Sequence, residues 1–142
     1  MRNTVRSALI ALTCAFALAL APASAQATPP SGVTGTTLGR TTVDGRDYVL
    51  REITIAPGGS TGWHHHDGPV YGRVRSGTLT HFVADCSTDG VYGPGSTITE
   101  VPDEVHVGRN LGGDPLVLEV LYVLPAGGPL SQDDPDPGCG FG

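Results

Sequence analysis

Residues 36–55, TTLGRTTVDGRDYVLREITI, decide the fold class. Two runs rich in β-branched residues, 36–43 and 46–55, flank the dipeptide Asp44-Gly45, which is favoured in two-residue hairpin turns. In the second run apolar and polar residues alternate, and Ile53 and Ile55 continue that alternation, as expected for a strand with one buried face. The stretch therefore predicts an antiparallel hairpin.

The rest of the chain continues this pattern. Turns rich in glycine and proline separate further strand-like runs, which are residues 62–66, 70–75, 78–84, 96–101, 105–111 and 116–124. No window of ten or more residues carries a sustained helical apolar stripe, so a parallel α/β sheet with helical crossovers is excluded. We expect an all-β sandwich or barrel. Residues 26–35 predict a flexible lead-in, and residues 125–142 predict an irregular tail.

The first 25 residues have the layout of a secretory signal peptide. Arg2 and Arg6 precede an apolar run at 8–20, and the small residues 23–25 form a cleavage site after Ala25. An uncleaved membrane anchor is the alternative, although the run is shorter than the roughly 20 residues that span a bilayer. A lipoprotein signal is disfavoured because Cys14 lies inside the apolar run. We therefore expect a secreted protein with no membrane attachment after cleavage.

The charge of the chain excludes some partners. The chain has a formal net charge of −6 and contains no lysine. Removal of residues 1–25 takes away two arginines and no acids, so the mature protein is more acidic still. Binding to nucleic acid requires a basic face, so no nucleic-acid partner is expected. The same argument disfavours an anionic membrane surface.

The cysteines predict a disulfide. Without Cys14, the mature chain keeps Cys86 and Cys139, an even pair in an oxidising compartment. A bond between them would close a loop worth on the order of 4 kcal/mol in the chain-entropy model. Two free thiols are the alternative, and a metal role is disfavoured because the chain has no CxxC spacing.

The histidines predict a metal site. Alternate residues of a strand share one face, so His64 and His66 project together and His65 projects to the other side. His106 opens a later strand after a proline turn and would supply a third imidazole. Imidazole binds Zn, Fe, Cu, Ni or Mn. The competing interpretation is an exposed histidine run that binds nickel adventitiously.

These residues give the chain a resemblance to the cupins over residues 36–124. The first cupin motif is matched by Gly58, by His64-x-His66 and by Gly77, but the position of its glutamate is occupied by Val70. The second motif is matched less completely: Glu104 replaces its second glycine, and the gap from proline to histidine is one residue shorter than in the family. The residues that match the second motif are Gly95, Pro102, His106 and Asn110.

The resemblance implies a double-stranded β-helix, or jelly-roll barrel, with the motif histidines lining its mouth. It implies that His64, His66 and His106 hold one divalent transition metal ion (Fe, Zn, Mn or Ni) with coordination positions left open. Because Val70 cannot ligate, a three-histidine site is expected in place of a site that includes glutamate. Formation of a homodimer is expected only by analogy with the family.

Three other residues are candidates for the pocket. His81 is in phase with Leu79 and is expected to be a hydrogen-bonded barrel residue that lines the pocket. Tyr71 and Glu104 lie near the motifs and are candidates for a fourth ligand or a proton donor.

The sequence thus predicts a secreted cupin that holds one metal ion and binds a small-molecule ligand or substrate. Dioxygenase-like chemistry is the leading expectation if it is an enzyme, with metal-assisted isomerisation or hydrolysis next. The main alternative is a non-catalytic extracellular module that binds a small ligand or a metal. A third is a structural domain whose histidines have lost their role.

Overall fold

The computed structural model describes residues 26–142, so the predicted signal peptide lies outside the described residues. Within this range the protein is all-β, as predicted, and contains no helix. The ten strands are β1 (Ser31–Val43), β2 (Arg46–Ser60), β3 (His64–His65), β4 (Val70–Ser76), β5 (Leu79–Val83), β6 (Thr88–Tyr92), β7 (Thr97–Glu100), β8 (His106–Arg109), β9 (Leu116–Pro125) and β10 (Gln132–Asp133).

No helix long and apolar enough to cross a membrane occurs in the described part of the chain.

The first hairpin forms at the predicted turn. Asp44 and Gly45 both adopt positive φ angles, 48° and 73°, which is the conformation that a type I′ turn requires. The structure corrects the predicted boundaries on either side. β1 begins at Ser31, so residues 31–35 are strand and not flexible lead-in. β2 continues beyond residue 55, where the predicted run ends, and reaches Ser60; within this extension Gly58 takes a φ of 76°.

The strands pair antiparallel throughout and curve into a nearly closed barrel. The main path of the sheet runs β10-β3-β8-β2-β9-β4-β7, β1 is paired with β2, and β5 is paired with both β8 and β6. Two of these pairings position the site. His64 of β3 lies opposite His106 of β8, and Val70 of β4 lies opposite Glu100 of β7.

The core lies inside this barrel and follows the alternation of the strands. Every second residue of β9 is buried, from Leu116 at the start of the strand to Leu124 near its end. β2 and β4 contribute Ile53, Ile55 and Val74 to the same cluster. Burying such side chains contributes about 1.5–3 kcal/mol each.

Asn110, the asparagine of the second motif, is fully buried and ties loops to strands. Its Nδ2 donates to the carbonyl oxygens of Ile55 (2.9 Å) and Asp114 (2.8 Å), and its Oδ1 accepts from the backbone N–H of Gly112 (3.0 Å). These bonds fix the chain just after β8, the strand that carries His106.

The C-terminal segment is more ordered than predicted. It contains β10, which is paired with β3, and Ala27 forms an isolated bridge to Pro135. Cys139 is joined to Cys86, the predicted partner, by a disulfide. β6 and β10 were not predicted, because neither has an apolar alternation. The tail therefore lies against the strand that carries His64.

Candidate metal centre

β3 and β8 bring the three predicted histidines together. The ligand atoms of His64, His66 and His106 lie within 4.8 Å of one another, and the His64 and His106 ring centroids are 4.4 Å apart. All three side chains are buried, with exposed fractions of 8%, 3% and 0%. Strand alternation places His65 on the other side, where its Nδ1 lies 2.6 Å from Asp134 Oδ2.

Each of the three rings is oriented by a backbone carbonyl. The Nδ1 atoms of His64, His66 and His106 lie 2.8, 2.7 and 2.8 Å from the carbonyl oxygens of Gly62, Leu130 and Glu104 respectively. A carbonyl oxygen only accepts, so each Nδ1 carries the hydrogen and each Nε2 presents a lone pair. This is the arrangement by which proteins fix the tautomer of metal-binding histidines.

Burial keeps two of these imidazoles neutral. Burial, reinforced by the neighbouring histidines, lowers the pKa of His106 to about 3, although the charge of Glu100 opposes the shift. Burial and the charge of His66 also lower the pKa of His64. Metal binding requires unprotonated ligands, so both rings are ready to bind at neutral pH.

A carboxylate that the sequence analysis missed completes the cluster. Glu100 ends β7 directly opposite Val70, and facing residues of an antiparallel pair project to the same side. Its Oε2 lies 3.1 Å from His66 Nε2 and 3.6 Å from His106 Nε2. Burial raises the pKa of Glu100, but the neighbouring imidazoles of His66 and His81 outweigh burial and hold the pKa well below its ordinary value. The sequence did contain one indication of this position, since Glu100 is two residues from the apolar Ile98 and therefore shares its face of β7.

The Nε2 atoms of His66 and His106, which carry lone pairs when Nδ1 donates to a carbonyl, face the carboxylate of Glu100. A metal ion placed among these electron-rich atoms would bind all three at once. For metal–ligand bonds of 2.0–2.1 Å, neighbouring ligand atoms are about 2.9 Å apart at 90° and about 3.4 Å apart in a tetrahedron. The observed 3.1 and 3.6 Å fit this donor set.

His81 lies next to the three histidines. It is 2% exposed, its Nδ1 lies 2.7 Å from Asp89 Oδ1, and its Nε2 is 3.6 Å from Glu100 Oε1. His81, Glu100 and His106 form a second group with ligand atoms within 4.8 Å of one another. Nε2 of His81 and Nε2 of His106 are buried and have no hydrogen-bond partner within the protein.

Two predicted pocket residues do not reach the centre. Tyr71 is on the outer face of β4 and is 46% exposed, because Val70 and Gly72 occupy the inner face. Glu104 is exposed, and it contributes only the carbonyl oxygen that accepts from His106. In this structure neither side chain is placed to serve as a fourth ligand. Val70, not Tyr71, faces inward at the start of β4.

Two cavities meet at the histidines. An inner cavity of about 60 Å³ lies inside the barrel and is lined by Val70 and Glu100, and an outer one of about 140 Å³ opens at the mouth and is lined by Arg51. Both cavities are also lined by Ile53, Thr61, His64, His66 and Tyr122. Burial, followed by the charge of Glu100, raises the pKa of Tyr122 to about 12, so its hydroxyl stays protonated. The imidazoles of His64 and His66 thus lie in the walls of both cavities.

Comparison with solved structures identifies the same fold elsewhere. The polyketide cyclase RemF from Streptomyces resistomycificus is 22% identical, with 80% of this chain and 84% of the other covered and a TM-score of 0.59. A cupin-like protein from Thermotoga maritima is 18% identical, with 73% and 77% covered and a TM-score of 0.59. Recombinant oxalate oxidase in complex with glycolate is 23% identical, with 65% and 51% covered and a TM-score of 0.55. At these identities the likeness concerns the fold alone.

No curated protein matches the sequence. The family model described as the cupin domain matches residues 51–124, which is more than half of the chain and includes β2 from Arg51, all three site histidines and most of β9. The chain belongs to the cupin family.

Proposed function

We propose that this chain holds one divalent transition metal ion through His64, His66 and His106, and that it binds or converts a small molecule at the open side of that ion. One observation carries the proposal. Three buried imidazoles present Nε2 lone pairs to one point because a backbone carbonyl fixes each ring from behind. An exposed histidine run that binds nickel by chance would have neither the burial nor the fixed tautomers.

Glu100 serves as the carboxylate of the site. Position 70 of β4, where the family motif has glutamate, is valine, and Glu100 projects to the same side from the facing strand. Three neutral imidazoles alone would leave the full 2+ charge of the ion inside the barrel. The carboxylate reduces that charge and adds an oxygen donor, which suits Fe, Mn and Zn.

The metal, when bound, would supply a Lewis-acid or redox centre. The chain's own residues orient the imidazoles, exclude bulk water through the apolar wall and leave room in the inner cavity for an ion with one or two water molecules. Dioxygenase-like chemistry on a small molecule is the leading activity. Because an oxidase and a cyclase share this fold, the fold does not select the reaction.

Metal content is the decisive measurement. The mature protein, purified without an affinity tag after growth with Fe, Zn, Mn and Ni, should carry one equivalent of metal by elemental analysis. His64→Ala and His106→Ala should lose it. His65→Ala is the matched control, since this ring lies in the same strand and points away, and it should retain the metal. Wild-type protein without stoichiometric metal would refute the proposal.

The role of Glu100 is tested by moving the carboxylate. Glu100→Gln should weaken Zn²⁺ binding by at least about 100-fold, which exceeds the usual effect of losing an outer hydrogen bond to a ligand. The double variant Val70→Glu with Glu100→Val returns a carboxylate to the same side of the barrel from the facing strand and should restore most of the affinity. Glu104→Gln is the charge-matched control and should leave binding unchanged. Equal affinity of Glu100→Gln and wild type would remove Glu100 from the ligand set.

Turnover separates the enzyme from the alternative, a non-catalytic extracellular binding module. Oxygen uptake by the iron-loaded protein with pools of small metabolites would support the enzyme. Bound metal and bound ligand without consumption of oxygen or ligand would support the module.

We also propose that the protein works outside the cytoplasm. The Cys86–Cys139 disulfide supports this location, since such bonds persist in oxidising compartments, and the signal-like residues 1–25 agree with it. The test is N-terminal sequencing of protein recovered from the culture medium, which should begin at Gln26.

A further inference from the structure

An arginine faces the inside of the barrel without a counter-ion. Arg51 lies on β2 between Val49 and Ile53, and all three share the inner face of the strand because they alternate with Leu50 and Glu52. Among residues 26–142 no carboxylate lies within ion-pair distance of its guanidinium, whereas Arg40 is paired with Asp47 and Arg75 with Glu119. The Nε of Arg51 is buried and has no hydrogen-bond partner.

The same arginine lines the mouth that leads to the metal site. The outer cavity of about 140 Å³ has Arg51 in its wall together with His64, His66 and Tyr122. A molecule in this cavity would touch the guanidinium at one end and face the imidazoles at the other. The volume is far below the roughly 300–1,000 Å³ of pockets for drug-sized ligands, so the occupant is small.

The chemistry of Arg51 selects the charge of that occupant. The neutral Tyr122 hydroxyl lies beside the guanidinium of Arg51 but does not balance its charge. A cation turned toward an apolar interior without a counter-ion is unfavourable, and a bound anion removes that cost. Guanidinium presents donors in a planar fork that matches the two oxygens of a carboxylate. The metal ion, whose charge is not fully neutralised by Glu100, favours an anion in the same space.

We propose that the mouth of this barrel binds a small carboxylate, with its carboxyl group on Arg51 and its remaining atoms directed toward the centre formed by His64, His66 and His106. This inference rests on the proposed metal site for its second contact. The contact with Arg51 stands without the metal, because its charge and position belong to the apo protein. Arg51 is then the residue that selects acids over neutral molecules.

The experiment measures binding of acetate and malonate to Zn²⁺-loaded and metal-free protein by isothermal titration calorimetry at fixed ionic strength. Acetamide and malonamide serve as neutral probes of the same size. Wild type should bind the acids and not the amides, and more tightly with metal than without. Arg51→Gln should weaken binding of the acids by roughly 10- to 150-fold, the loss of one charge-assisted hydrogen-bonded contact. Arg73→Gln, the same change on the outer face of β4, should bind as wild type does.

The outcomes separate this inference from the proposed function. Binding of acids that depends on Arg51 in protein that takes up no Zn²⁺ would support the carboxylate site and reject the metal. Zn²⁺ uptake with unchanged acid affinity in Arg51→Gln would reject the carboxylate site and keep the metal. Equal binding of acids and amides, or no binding of either, would overturn the inference. A lower melting temperature of Arg51→Gln with unchanged acid affinity would also overturn it, because Arg51 would then serve only the stability of the fold.

Discussion

The Cys86–Cys139 disulfide should stabilise both the fold and the metal centre, and Cys86→Ser with Cys139→Ser tests both effects. The bond spans 53 residues, for which the loss of chain entropy in the unfolded state gives about 4 kcal/mol. For a domain of this size that corresponds to a fall in melting temperature of about 12–20 °C. Cys139 is two residues before Phe141. The ring of Phe141 packs against Trp63, and its carbonyl accepts a hydrogen bond from Trp63 Nε1 at 2.6 Å.

The tail also carries the acceptor that orients a metal ligand. Leu130 supplies the carbonyl for His66 Nδ1, and β10 is paired with β3 beside it. A tail released at its end should loosen this bond and weaken Zn²⁺ binding by about 10- to 100-fold, as for other outer-shell changes.

The assay is urea unfolding followed by the fluorescence of Trp63, which is the single tryptophan of the sequence and lies fully buried at the tail contact. Reduced wild type should unfold like the double variant. Unfolding free energies within about 1 kcal/mol of oxidised wild type, together with unchanged Zn²⁺ affinity, would refute the argument that the disulfide secures the tail.

Three further outcomes are expected. Asn110→Ala should lower the unfolding free energy by about 3 kcal/mol in urea melts, because it leaves buried backbone groups unpaired; a change under about 1 kcal/mol would contradict this. Hydrogen bonds from Thr42 and Gly127 outweigh burial and lower the pKa of Asp47 to about 2. The ionised Asp47 carboxylate therefore stabilises the fold above about pH 4, and this contribution is lost as the pH falls toward 2. Asp47→Asn should therefore melt below wild type at pH 6, and the two should converge near pH 2; a gap that persists there would count against the lowered pKa of the Asp47 carboxyl. Addition of Zn²⁺ at 100 times its dissociation constant should stabilise wild type by about 2.7 kcal/mol and leave His64→Ala unchanged in the same melts.

Local signals predicted most of the fold. The Asp44-Gly45 turn defines the first hairpin because its backbone requirement is met within two residues. Strand alternation over residues 64–66 likewise predicted that His64 and His66 lie on one side and His65 on the other. These features depend only on neighbours in the chain.

The missed features depend on pairings between distant segments. Nothing near Glu100 in sequence indicates that it faces Val70, since that register is set by the curvature of the whole sheet. β10 has no apolar alternation and forms where the tail, secured by the disulfide, meets β3. The sequence did give a weak indication that Arg51 and Glu100 face the barrel interior, because each is a charged residue that alternates in phase with buried apolar neighbours.

The facing positions of β4 and β7 have a consequence for how such sites are inherited. A carboxylate on either of two facing strands projects to the same side of the sheet, so the linear motif can change while the pocket keeps its donors. A scan for glutamate at one fixed distance from the histidines would discard this chain. A search for a carboxylate at either position of a facing pair would retain it. Such a search would also separate barrels with no carboxylate at either position from those that carry it on the neighbouring strand.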